Sequence, residues 1–171
     1  MRNYFVELPW PRLKNVDHLV EKVDQFPEYL HNQNGIENYS QAANLNKWPT
    51  REEDLKDIIE ELPIDNSLIK KMTIQRILPP GIPLHIDKTR PVAAMSIIQG
   101  RARTVFREKG HPIQHINFEP FHWYLFNGHI PHLVREVTEL RVGLCINLSE
   151  EFENYEQAKT KLLQICLLGL R

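Results

Sequence analysis

With only two cysteines in 171 residues, Cys145 and Cys166, and no metal-like spacing between them, a disulfide framework is unsupported and a reducing compartment fits. No apolar run approaches the ~20 residues needed to cross a bilayer, and the short apolar LLQICLLGLR at the C-terminal end reads as the end of a packed helix. The opening MRNYFVELPWPRLKN lacks the apolar core of a secretory signal, so a cytoplasmic location is expected. An excess of charge of one sign is missing as well. The 21 basic and 22 acidic side chains balance, which argues against a whole-molecule electrostatic grip on nucleic acid. No internal repeat or low-complexity tract stands out, and the length suits one domain over residues 1–171 that buries a core without staples.

What is present divides into helical and strand-like stretches. Val16, Leu19, Val20 and Val23 follow i, i+3, i+4, i+7 spacing and predict a helix from about Val16 to Gln25, stopped near Pro27. Thr50 followed by Glu53 has the form of a capping box, and Leu55, Ile58, Ile59 and Leu62 make the apolar stripe of a second helix that Pro63 ends. Both helices are expected to buttress one outer face of a sheet. The polar, turn-rich NQNGIENYSQAANLNKWPT between them is either a surface connection or a loop over a substrate. The helical part thus covers about residues 1–70. From about 72 to 148 come short strand-like runs, MTIQRIL, LHID, VAAMSII, RTVFRE, HINFE, WYLF, HLVRE and LRVGLCINL, the eight that a double-sheet jelly roll uses. A last helix is expected over about residues 155–168.

His85 and Asp87 lie two apart in a strand-like segment fed by the turn-forming Pro79, Pro80, Gly81 and Pro83. In an extended strand residues i and i+2 project from one face, so both can reach one metal while Leu84 and Ile86 point into the opposite layer. An ordinary surface pair on a polar strand face is the alternative. A third ligand comes from another strand. His132 leads the apolar HLV and is preferred over His129, which lies in the Asn127-Gly128 turn; only one of them need bind. Two imidazoles and a carboxylate suit iron(II), holding one face of an octahedron and leaving the other for a bidentate acid and dioxygen.

In LRVGLCINL the alternation sets Leu140, Val142, Leu144, Ile146 and Leu148 on one face and Arg141, Gly143, Cys145 and Asn147 on the other. A buried arginine needs an anion, and its planar fork matches a carboxylate. Gly143 leaves room beside it for a small diacid. Glu136 or Glu139 is the alternative partner. Lys88, Arg90, Arg101, Arg103, Arg107 and Lys109 cluster after the His-x-Asp pair, either as a solvated face or as a device that steers an anionic substrate.

With those residues in place, the chain resembles the iron(II)/2-oxoglutarate-dependent dioxygenases. RILPPGIPLHID and FNGHIPHLVREVTELRVGL are similar to the small aspartyl/asparaginyl β-hydroxylase and prolyl hydroxylase type, over roughly residues 73–148. Asp87 departs from those aspartyl/asparaginyl-type members that lack a carboxylate ligand. The resemblance implies a mainly β fold with flanking helices around a double-stranded β-helix. It implies iron held by His85, Asp87 and His132, with Arg141 holding the far carboxylate of 2-oxoglutarate. With dioxygen, such a site hydroxylates an unactivated C–H bond of an amino acid, peptidyl residue or other small molecule and releases succinate and CO2. Ser96 is a candidate second contact to 2-oxoglutarate. Arg90, Trp123 and Tyr124 are candidate substrate contacts, with core packing the competing role for the two aromatics. The competing functional readings are a cupin-like protein that binds zinc or nickel without turnover, and a metal-free interaction module.

Overall fold

A computed structural model describes residues 3–25, 45–49, 52–87, 92–152 and 154–168. In chain order the elements are β1 (Phe5–Leu8), α1 (Asp17–Gln25), β2 (Leu45–Pro49), α2 (Glu52–Glu61), β3 (Ile69–Ile77), β4 (Ile82–His85) and β5 (Val92–Gln99). Then follow β6 (Arg103–Phe106), β7 (Gln114–Asn117), β8 (Trp123–Asn127), β9 (His132–Arg135), β10 (Arg141–Leu148) and α3 (Tyr155–Leu168). The eight strand-like runs of the sequence correspond to β3–β10.

Their pairing has one logic. β6 pairs with β7, β5 with β8, β4 with β9 and β3 with β10, all antiparallel, so the chain from 69 to 148 is one long ribbon folded back at the β6–β7 turn. Rolling that ribbon drops its pairs alternately into two sheets, of order β1-β8-β5-β10-β3-β2 and β4-β9-β6-β7. The fold is mainly β with flanking helices, a double-stranded β-helix or jelly roll of the cupin kind.

β1 and β2 extend the large sheet at its two edges, outside β8 and β3. The sequence did not announce either. FVEL and LNKWP are short, and edge strands draw their register from the neighbour more than from their own propensity. β2 falls inside the stretch read as a connection, whose remaining residues lie outside the described ones, as do Pro27 and the Thr50 cap.

The helices cover the outer face of the large sheet. Leu19, Leu55, Ile58 and Leu162 pack there on Leu144 and Ile146 in the larger apolar cluster. A second cluster fills the space between the sheets, with Met95, Phe106, Phe118, Tyr124, Phe126 and Cys145. Tyr4 belongs to it and ties the sheets together. Its amide donates to Gln114 Oε1 at 3.3 Å and its hydroxyl to Glu108 Oε2 at 2.6 Å, while its carbonyl accepts from the Asn127 amide at 2.8 Å. Leu84 and Ile86 do point away from the face that carries His85, but the layer they enter is solvent: they are 53% and 36% exposed on the outer face of the edge strand β4 and just beyond it.

Gly81 makes the corner between β3 and β4. Its φ of +116° is one that side-chain-bearing residues rarely adopt, and a Cβ there would strike the Val134 carbonyl on β9. Gly81→Ala is therefore expected to lower the melting temperature by roughly 5–10 °C, the range of a strained backbone position in a domain of this size. Scanning calorimetry checks this; an unchanged transition would show that the corner relaxes freely.

Candidate metal centre

His85 closes β4 and His132 opens β9, and the two are directly opposed in the register, with ring centroids 4.2 Å apart. A register shift between Ile82 and His85 sets that opposition. Asp87 sits two residues past the end of β4, where its amide donates to the Gly128 carbonyl at 2.8 Å and holds it to the β8–β9 turn. The same-face geometry expected of His-x-Asp is thus reached with only the first residue inside the strand.

Asp87 Oδ1 lies 4.0 Å from His85 Nε2 and Oδ2 lies 3.8 Å from His132 Nε2, with the three side chains only 6–7% exposed. Each imidazole turns Nδ1 to a backbone carbonyl two residues earlier, His85 to Pro83 and His132 to Ile130, both at 2.8 Å. A carbonyl only accepts, so Nδ1 carries a proton, and in the neutral ring Nε2 is then the lone-pair donor, the tautomer and orientation of a metal ligand. Phe106 and Phe126 wall the His132 ring at 5.7 and 6.0 Å.

The donor set fits a divalent transition ion. One ligand atom from each of the three lies within 4.8 Å of the others. Adjacent ligands of an octahedral ion at ~2.1 Å are ~3 Å apart, about an ångström less than the two Asp87–imidazole separations here. Among the described residues no other group of His, Cys, Asp or Glu is gathered in this way. His129 stays apart from it, exposed in the turn with its amide bonded to Asn127 Oδ1 at 3.1 Å.

Arg141 opens β10 and is 2% exposed. It shares its face with Gly143 and Cys145, and Cys145 lies in the inter-sheet cluster, so the guanidinium points between the sheets. There it lies 5.7 Å from the centroid of the Phe118 ring. Neither Nη1 nor Nη2 has a hydrogen-bond partner among the described residues. Burial lowers its pKa to about 10, which still leaves a cation at neutral pH. Glu136, one alternative partner, is held by Arg103 at 3.2 Å and Arg135 at 3.4 Å.

Other expected contacts are placed elsewhere. Ser96 pairs with Leu144 and Trp123, both in the helix-side cluster, so its hydroxyl belongs to the outer layer of the large sheet and the expected contact with 2-oxoglutarate is withdrawn. Trp123 packs on Trp10 at 5.5 Å in that same layer, away from the triad. Tyr124 does face between the sheets, against Phe118 at 4.8 Å, and its hydroxyl accepts from the Glu119 amide at 3.3 Å. Arg90 lies outside the described residues. Gly143 has less room than expected, since a Cβ there would meet Ile97 Cδ1 and the Ser96 carbonyl at 3.3 Å; the glycine serves the approach of β5.

Two residues had drawn no attention in the sequence. Gln75 on β3 and Thr104 on β6 are both buried, and Gln75 Nε2 and Thr104 Oγ1 have no hydrogen-bond partner among the described residues. The signal was there in MTIQRIL and RTVFRE, as a polar side chain in the middle of a strand on the face that turns inward.

No family model matches the chain, and no curated relative matches it. Among solved structures it is similar to oxalate decarboxylase from Bacillus subtilis, 17% identical over 73% of this chain and 28% of that one, with a TM-score of 0.45. It is also similar to YcfD, a ribosomal oxygenase from Escherichia coli, 17% identical over 62% of this chain and 29% of that one, TM-score 0.43. A third is oxalate decarboxylase from Lactobacillus farciminis, 14% identical over 61% and 29%, TM-score 0.42. The chain spans under a third of the length of each.

The metal centre makes a direct prediction. His85→Ala and His132→Ala should each abolish stoichiometric iron(II) binding, while His129→Ala should bind as the parent does. Anaerobic equilibrium dialysis reads this, and the reverse pattern between His129 and His132 would move the ligand to the turn.

Proposed function

We propose that the protein is an Fe(II)- and 2-oxoglutarate-dependent dioxygenase that hydroxylates an unactivated C–H bond of a small-molecule or peptide substrate, with release of succinate and CO2. The observation that carries this reading is the Arg141 guanidinium. It is a desolvated cation whose Nη1 and Nη2 have no hydrogen-bond partner among the described residues, and its Phe118 neighbour belongs to the inter-sheet cluster whose Phe106 and Phe126 wall His132. A metal-binding role alone gives no reason to bury such a cation, whereas a diacid chelating the metal through one end brings the anion that Arg141 lacks.

In this reading His85, Asp87 and His132 would hold the iron, and the pair of Nδ1–H donations to Pro83 and Ile130 keeps both rings aimed. When bound, the iron would supply oxygen activation coupled to oxidation of the 2-oxo acid. Arg141 binds and orients the far carboxylate, and the aromatic wall of Phe106, Phe118 and Phe126 keeps water from the enclosed space.

Aerobic incubation with iron(II), ascorbate and 2-oxoglutarate should yield succinate by slow uncoupled turnover. Its complete absence would favour a cupin-like metal-binding or interaction protein. Arg141→Lys keeps the charge and loses the fork, so it should raise the 2-oxoglutarate requirement about tenfold or more with iron affinity unchanged. An unchanged 2-oxoglutarate dependence would take Arg141 out of the anchoring role.

A further inference from the structure

The polar atoms left unsatisfied between the sheets are not scattered. Gln75 pairs with Gly143, and Arg141 is two residues from Gly143 on the same face, which makes Gln75 and Arg141 diagonal neighbours within reach of one small ligand. Thr104 looks across from the small sheet. It pairs with Ile116 on one side and Val134 on the other, and Phe118, two residues beyond Ile116, is the ring that the guanidinium faces. Val134 joins the same apolar cluster as Ile77, the register partner of Arg141. Three strands from two sheets therefore direct Gln75 Nε2, Thr104 Oγ1, Arg141 Nη1 and Arg141 Nη2 into one buried region, all without partners among the described residues.

Every one of those atoms can donate a hydrogen bond, and three of the four can only donate. A region lined that way is matched by a group that only accepts, and one carboxylate offers about four lone-pair sites on two oxygens. We propose that Gln75 and Thr104 complete, with Arg141, a single carboxylate pocket that sets the protein's affinity for the far end of its diacid cosubstrate. The proposal rests on the reading of Arg141 given above and adds two positioning residues to it.

The chemistry gives these residues an unusual signature. A buried donor with no partner destabilises the free protein, so removing it at constant shape should leave folding unharmed or improved while weakening the ligand. Thr104→Val and Gln75→Leu should each weaken 2-oxoglutarate binding to the Mn(II)-loaded protein by roughly tenfold, with an unchanged or raised melting temperature in the absence of ligand. Calorimetric titration should show the same loss for glutarate, which carries the far carboxylate but no 2-oxo acid chelate, and Mn(II) affinity should stay as in the parent. Gln75→Glu goes further. Its carboxylate reaches the guanidinium from the diagonal position and supplies the anion internally, so the variant should melt higher and lose 2-oxoglutarate binding altogether.

Arg141→Met is titrated alongside. If it loses 2-oxoglutarate while Thr104→Val and Gln75→Leu bind like the parent, the pocket is Arg141 alone and the proposal is overturned with the reading of Arg141 intact. Parent-like binding by Arg141→Met overturns both. Should Gln75→Leu fail to fold, Gln75→Glu decides the matter for that position, and a lowered melting temperature with unaltered 2-oxoglutarate affinity would overturn it.

Discussion

The antiparallel pairing of β4 with β9 is the contact on which the candidate site depends. It joins residues 85 and 132, and it can do so because the chain between them is itself a closed set of nested pairs, β5 with β8 around β6 with β7. Once the ribbon is folded, no long side chain has to search for its partner. The imidazoles face each other across a ladder, and Asp87 is tethered to the β8–β9 turn by one backbone hydrogen bond. A metal face built in this way is preorganised by backbone geometry, with the two Nδ1–H contacts fixing the remaining freedom of the rings.

The second constraint is electrostatic. Moving a guanidinium out of water costs several kcal/mol even after relaxation, and a cation so placed gains from an anion far more than a surface arginine does. The fold accepts that penalty at Arg141 and reduces it only slightly through the Phe118 ring. Among the described residues it also leaves Gln75 Nε2 and Thr104 Oγ1 buried without a hydrogen-bond partner. Natural cores rarely keep unsatisfied polar atoms together, and where they do, a ligand is the economical explanation.

Much of this was legible in the sequence because turn residues and short apolar runs mark a ribbon plainly. The eight core strands, the His-x-Asp pair, His132 over His129 as the residue beside it, and the inward face of Arg141 all follow from spacing and alternation. Faces were lost where alternation was lost. VAAMSII is apolar nearly throughout, since its strand is covered on both sides, and nothing in it tells that Ser96 looks toward the helices. WYLF likewise does not tell which face Trp123 takes, though core packing, the role weighed against substrate contact, is the one it has. At LHID the alternation held, and what it left open was the covering. Leu84 and Ile86 face opposite His85 as the alternation has it, but no second layer covers them there and the outer face of an edge strand leaves them in solvent. Gln75 and Thr104 were overlooked because one polar residue within a strand is common, and only the meeting of three strands gives it meaning.

Tyr4 ties β1 to partners that are made long after it. Its side chain and amide find Glu108 and Gln114, 104 and 110 residues downstream, and β1 itself pairs with β8. β1 therefore cannot take up this pairing until β8 has been made. Closing a loop that long is slow, and the exposed strand edge is open to other chains in the interval.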